Sequence, residues 1–108
     1  MRKYVYIYLL RHPYIDVGYI GMSNNPSRRF KEHLRDKTIT PKSDMIREMR
    51  NERIKPQMKI LERVLKTESF ALEKEITRKY LLDGWAIMNS TNRGIGTYER
   101  VYKWQTLE

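Results

Sequence analysis

From Tyr4 to Leu10 the chain sets Tyr4, Tyr6, Tyr8 and Leu10 in alternation with Val5, Ile7 and Leu9. A period of two is the mark of a strand. Both sets are apolar or aromatic, so neither face suits water and covering layers are expected on both sides. Arg11 to Asp16 contains the turn-forming His12-Pro13, and Val17-Gly18-Tyr19-Ile20-Gly21 then resumes as a short strand. The two segments are expected to close as an antiparallel hairpin, with Tyr8 and Tyr19 on neighbouring strands.

Helical periods follow. Asn24-Asn25-Pro26 is a helix start, Asn25 suited to capping and Pro26 to the first turn, and the helix runs from Ser27 to about Arg35 with Phe30 and Leu34 as its buried stripe. A second helix is expected from Ser43 or Asp44 to about Arg53, with Met45, Ile46 and Met49 on one face. Lys55-Pro56 breaks it, and Met58 to Val64 reads as a third strand with Met58, Ile60 and Val64 on one face. Thr67 suits the cap of the longest helix, which continues to about Leu82 before Asp83-Gly84 stops it. Trp85 to Asn89 reads as a loop or edge segment, and Ser90 to Gly96 is rich in turn formers.

A chain of 108 residues has room for one compact domain. The division expected is a main domain over residues 1–90 and a tail over 91–108, either part of that domain or a linker. Lys and Arg number 22 against 13 Asp and Glu, a net charge of +9 that makes a polyanion the default partner. The absence of cysteine excludes disulfides, zinc–thiolate sites and cysteine nucleophiles. No apolar run approaches the roughly 20 residues that span a bilayer, and Met1-Arg2-Lys3 leads into a strand rather than a signal segment, so a soluble, intracellular (cytoplasmic) protein is expected.

Three sets of polar residues invite chemistry. On a wheel centred on Leu72, Ile76 and Tyr80 fall on one side and Ala71 and Leu82 on the other, and Glu75 lies inside that arc while Glu73 lies at its edge. An inward carboxylate needs a partner. Lys79, four residues on, is the ordinary one; a divalent ion is the sharper reading, because magnesium often takes only one or two carboxylates from protein. Arg29 and His33, also four apart, share one side of the first helix, where a charged fork and an imidazole can grip a phosphate; the plainer reading is a solvated basic face. Eight tyrosines are many for this length and several crowd the hairpin, mostly as packing. A phenol becomes a usable base only where a metal or Arg lowers its pKa.

Ile7-Tyr8, then ten residues, then Tyr19-Ile20-Gly21, then Arg29 and His33 on a helix, then Glu75 and Asn89, resembles the GIY-YIG nuclease superfamily, as found in phage and mobile-element endonucleases. Each motif is weak alone, and their order is specific. The resemblance implies an α+β fold, a small three-stranded antiparallel sheet flanked by three or more helices. It also implies DNA hydrolysis with one divalent ion, Mg2+ or Mn2+. On it, Tyr8 and Tyr19 lie at the attacking water or the phosphate, Arg29 and His33 contact the scissile group, Glu75 holds the metal and Asn89 supports the site. Tyr19 is favoured as the base, with Tyr8 orienting. Two departures stand out: Tyr6-Ile7-Tyr8 lacks the initial Gly, and Met22 stands where some members carry a basic residue.

Arg28, Lys31, Arg35, Lys79 and Arg93 are the cations expected along the nucleic acid. So small a module reads few base edges, and double-strand cleavage needs two sites or two encounters, which points to a homodimer or a separate DNA-targeting domain or protein. The rival reading is a non-catalytic nucleic-acid-binding module that keeps the fold, using Arg28, Arg29, Lys31, Arg35 and the tail's Tyr98, Arg100, Tyr102, Lys103 and Trp104 for phosphates and stacking.

Overall fold

The computed structural model describes residues 2–88. The elements run β1 (Tyr4–Arg11), β2 (Val17–Ser23), α1 (Pro26–Leu34), α2 (Pro41–Asn51), β3 (Gln57–Leu65), α3 (Lys66–Leu82) and β4 (Ala86–Ile87). They build one sheet of order β3-β1-β2-β4. β1 and β2 form the expected antiparallel hairpin, with Tyr8 opposite Gly21 and Leu10 opposite Tyr19. The fold is α+β with three helices, and the sheet has four strands rather than three. The added strand is two residues long and parallel to β2, pairing Val17 with Ala86 and Gly18 with Ile87. So short a strand carries no legible alternation.

β1 is covered on both faces, as its sequence demands. On one face Tyr8, Leu10 and Val17 pack with Met45, Ile46 and Met49 of α2, and Tyr19, Phe30 and Met58 border them. On the other, Ile7, Leu9, Ile20 and Ile87 pack under Leu72, Ile76 and Tyr80 of α3. No helix among the described residues is long and apolar enough to cross a membrane.

The helix starts show which local signals act. Asn25 caps α1 by accepting from the Arg28 amide at 3.2 Å, with Pro26 in the first turn. α2 begins two residues before Ser43, because Thr40 accepts from the Ser43 amide at 3.1 Å and Pro41 opens the helix. α3 begins at Lys66, ahead of the expected Thr67 cap; Leu65 occupies the cap position without a side-chain bond, and the Lys66 amide donates to the Lys3 carbonyl at 2.8 Å instead. The sheet ladder supplies what a capping side chain supplies elsewhere.

In β3 the expected common face of Met58, Ile60 and Val64 is broken. The register passes from Ile7 opposite Glu62 to Tyr8 opposite Ile60, so Leu61 is an extra residue. Such a bulge reverses which side chains point to which layer. Met58 joins the α2 side, while Leu61 and Val64 join the α3 side. Phe30 and Leu34 are half-buried, and the buried residue of α1 is His33.

Leu10 is fully buried and Leu82 is 75% exposed. Leu10→Ala is expected to cost about 2–5 kcal/mol in urea unfolding, and Leu82→Ala to stay within about 0.5 kcal/mol. Equal costs would place the core elsewhere.

Candidate active site

Three side chains from three elements, β1, β2 and α1, meet at the hairpin. The Tyr8 hydroxyl lies 2.6 Å from Nε2 of His33. The Tyr19 ring stands 6.3 Å from the Tyr8 ring and 5.4 Å, edge on, from the His33 ring, centroid to centroid. This convergence depends on Gly21, opposite Tyr8 in the ladder. A Cβ there would come within 2.6 Å of the Tyr8 oxygen and 2.8 Å of Tyr19 Cε1, so only glycine leaves room for both phenols.

The cluster has a floor and a mouth. Tyr8 and His33 are buried, at 0% and 1% exposure, whereas Tyr19 and Arg29 are half-buried. His33 therefore does not sit on a solvated basic face, and it reaches the site through Tyr8 rather than as a surface contact. Arg29 faces both phenols and favours their ionised forms. Burial works against the Arg29 charge, but hydrogen bonding to Glu32 and the phenols hold it firmly protonated; its Nη1 donates to Glu32 Oε1 at 3.1 Å. Burial drives both phenols up from their usual range; Arg29 opposes this only in part, and Glu73 adds to it. Neither tyrosine is ionised at neutral pH without a further cation.

The α3 carboxylate whose charge acts on both phenols is Glu73, not Glu75. Glu75 is exposed and pairs with Lys79 at 3.5 Å, the ordinary helical partner its spacing suggested. The buried arc of α3 is Ser69, Leu72, Glu73, Ile76, Thr77 and Tyr80, and Ala71 and Leu82, which had drawn the arc toward Glu75, are exposed. The two glutamates lie roughly 160° apart on the wheel, so the shift of arc exchanges them. Glu73 is half-buried, its pKa is raised by burial, and its charge acts on both Tyr8 and Tyr19. It has no ion pair or hydrogen bond among the described residues. A carboxylate so placed suits a cation. Among the described residues no three His, Cys, Asp or Glu side chains gather into a metal cluster.

A buried ion pair borders the other side. Nζ of Lys42 lies 2.8 Å from Asp36 Oδ2 and 5.5 Å from the Tyr19 ring centroid. Burial would raise the Asp36 carboxyl, but Lys42 and the amide and hydroxyl of Thr38 hold it well below the usual carboxylate range. Sequence reading missed this pair, though Thr40-Pro41 as a helix start would have set Lys42 in a first turn, where a cation is disfavoured and calls for a partner. His33 is kept neutral, its pKa lowered to about 4 by burial first and then by the charges of Lys42 and Arg29. Its Nδ1 is buried without a hydrogen-bond partner among the described residues.

Of the cations expected along a nucleic acid, Arg28, Lys31, Arg35 and Lys79 are exposed. Arg28 lies 3.9 Å from Glu32. Asn89 and Arg93, the tail residues of the rival reading, and the division after residue 90 lie outside the described residues.

Residues 4–83 match the family model of the GIY-YIG catalytic domain. No curated protein and no solved structure matches the chain.

Two outcomes are expected. Gly21→Ala loses about 1–3 kcal/mol in urea unfolding and displaces the Tyr8 and Tyr19 ring resonances; wild-type stability and spectra would mean that the phenols do not crowd this backbone. Folded His33 titrates at about 4 against an unfolded 6.5, so the unfolded chain takes up the proton first as pH falls. Its contribution to stability is complete above about pH 6.5 and is lost toward about pH 4. The lowered pKa of His12 acts in the same direction. The urea midpoint should drop across that window, less steeply in His33→Gln; a flat profile would contradict a buried neutral imidazole.

Proposed function

Since the chain belongs to the GIY-YIG catalytic domain family, we propose that it is an endonuclease hydrolysing DNA phosphodiester bonds, with Tyr19 as general base, Arg29 on the phosphate and Glu73 as the metal ligand. The observation that carries this reading is a half-buried Glu73, without an ion pair or hydrogen bond among the described residues, whose charge acts on the same two phenols as that of Arg29. A mere binding surface gains nothing from holding that carboxylate beside two phenols.

Exposure divides the roles. Tyr19 and Arg29 are within reach of a substrate, whereas Tyr8 and His33 lie beneath as positioning residues. Tyr19 takes a proton from a water lying in line with the scissile bond, and the water oxygen bonds to phosphorus. Arg29 neutralises charge building on the non-bridging oxygens. The bond from phosphorus to the 3′ oxygen breaks, that oxygen is protonated from solvent, and the products carry 5′-phosphate and 3′-hydroxyl ends. Glu73 would hold one magnesium or manganese ion, whose positive charge would polarise the phosphate and bring a phenol's pKa within range of neutral pH. The Tyr8–His33 hydrogen bond holds the Tyr8 ring against Tyr19, and a neutral His33 leaves Nε2 free to share the Tyr8 proton.

Glu73→Gln is expected to lower magnesium-dependent nicking of supercoiled plasmid by about 10³-fold or more, and Tyr19→Phe by about 10²-fold or more. Glu75→Gln should stay within about threefold of wild type, since its Lys79 pair is an exposed one. Wild-type nicking by Glu73→Gln, or loss in Glu75→Gln alone, would reject the assignment.

A further inference from the structure

Two helices of this chain end in the same hydrogen-bonded turn with different residues at its strained position. At the end of α3 the Trp85 amide donates to the Tyr80 carbonyl at 3.0 Å, the Gly84 amide to the Leu81 carbonyl at 3.1 Å, and Gly84 has φ +91°. At the end of α2 the Ile54 amide donates to the Met49 carbonyl at 2.8 Å, the Arg53 amide to the Arg50 carbonyl at 3.0 Å, and Arg53 has φ 60°. This turn favours glycine, because in a left-handed residue a Cβ crowds the following carbonyl. Arg53 is the one non-glycine residue with positive φ among the described residues. An arginine kept where glycine fits better implies a use for its side chain.

That side chain lines a hollow of about 330 Å³ between the end of α1, α2 and the start of β3. Leu34, Ile46, Ile54 and Pro56 form its apolar floor, and Arg50, Arg53 and Lys55 its rim. Nη2 of Arg50 donates to the Leu34 carbonyl at 2.5 Å, which ties one of the three cations to the end of α1. A second hollow, of about 600 Å³, shares Lys55 and Pro56 and adds Arg11, Lys59 and Phe30. No Asp or Glu lines either one. Neither Arg53 nor Lys55 has an ion pair among the described residues. The cations thus follow one side of α1, the helix that also carries Arg29 and His33.

We propose that this hollow is a phosphate subsite for the DNA backbone flanking the bond that is cut, with Arg53 and Lys55 as its contacts. It rests on the nuclease reading for its substrate. The turn at the end of α2 aims the guanidinium of Arg53, and Arg50 fixes the wall behind it. A rim with positive charge and no carboxylate favours a phosphodiester over an acidic peptide only through the +9 balance of the whole chain and the nuclease fold, so the DNA strand is the occupant put to test.

The probe is a fluorescein-labelled 30-bp duplex, titrated with the full chain in EDTA over a salt series and read by anisotropy. Arg53→Gly is expected to reduce the slope of log Kd against log salt by about one and Arg53→Gly/Lys55→Gln by about two, with affinity at least about tenfold weaker for the double variant. Arg53→Lys keeps the wild-type slope. In thermal melts Arg53→Gly should unfold at or above the wild-type temperature, by up to about 5 °C, because the turn is relieved. Lys66→Gln/Lys74→Gln, an equal charge change on α3, serves as the control. Unchanged affinity and slope in Arg53→Gly/Lys55→Gln, a loss no greater than the control's, or a lower melting temperature for Arg53→Gly overturns the proposal. Wild-type nicking in magnesium is scored separately: its absence, with the salt-slope difference intact, would reject the nuclease reading and leave a DNA-binding subsite.

Discussion

Burial of β1 on both faces is the constraint from which the rest follows. A strand with Tyr8 and Leu10 on one side and Ile7 and Leu9 on the other cannot lie at a wet edge or under a single layer. It becomes central, with β2 and β3 beside it, α2 covering one face and α3 the other. That arrangement sets α1 beside the two tyrosines and lets the charge of Glu73, far along the chain on α3, act on both.

Polar groups are placed in this core at a cost that the surroundings only partly offset. The Tyr8–His33 bond satisfies one nitrogen and leaves Nδ1 unpartnered, and the Asp36–Lys42 pair takes two charges largely out of water. Apolar residues of similar volume would give a plainer core. The groups retained instead surround Tyr19 with a neutral imidazole, an aromatic hydroxyl and two cations, Lys42 at its ring and Arg29 acting on its hydroxyl. Such an environment leaves the charge state of the phenol to whatever joins Glu73 and Arg29.

Much of this was legible in the sequence where the signal was local and strong. The period of β1, its hairpin with β2 and the Asn25-Pro26 helix start need only a few consecutive residues to read, whereas the burial of His33 did not follow from the Phe30 and Leu34 stripe. α3 was harder, because Phe70, Ala71, Leu72, Ile76, Leu81 and Leu82 lie on several sides of one helix and define no single apolar arc. Packing against Ile7, Leu9 and Ile20 selects the arc, and only that contact distinguishes Glu73 from Glu75. The Asp36–Lys42 pair closes a loop between helices and turns on where α2 starts, while the extra residue in β3 appears only when β1 supplies a register.

The extra residue at Leu61 has a consequence beyond side-chain placement. β3 forms the outer border of the sheet, nine residues long, and its outward amides and carbonyls would offer an uninterrupted template to a second molecule. The irregularity divides that border into two short stretches, and Lys59, Glu62 and Arg63 set charge along it. A broken, charged border is a poor template for pairing edge to edge with another copy of the chain.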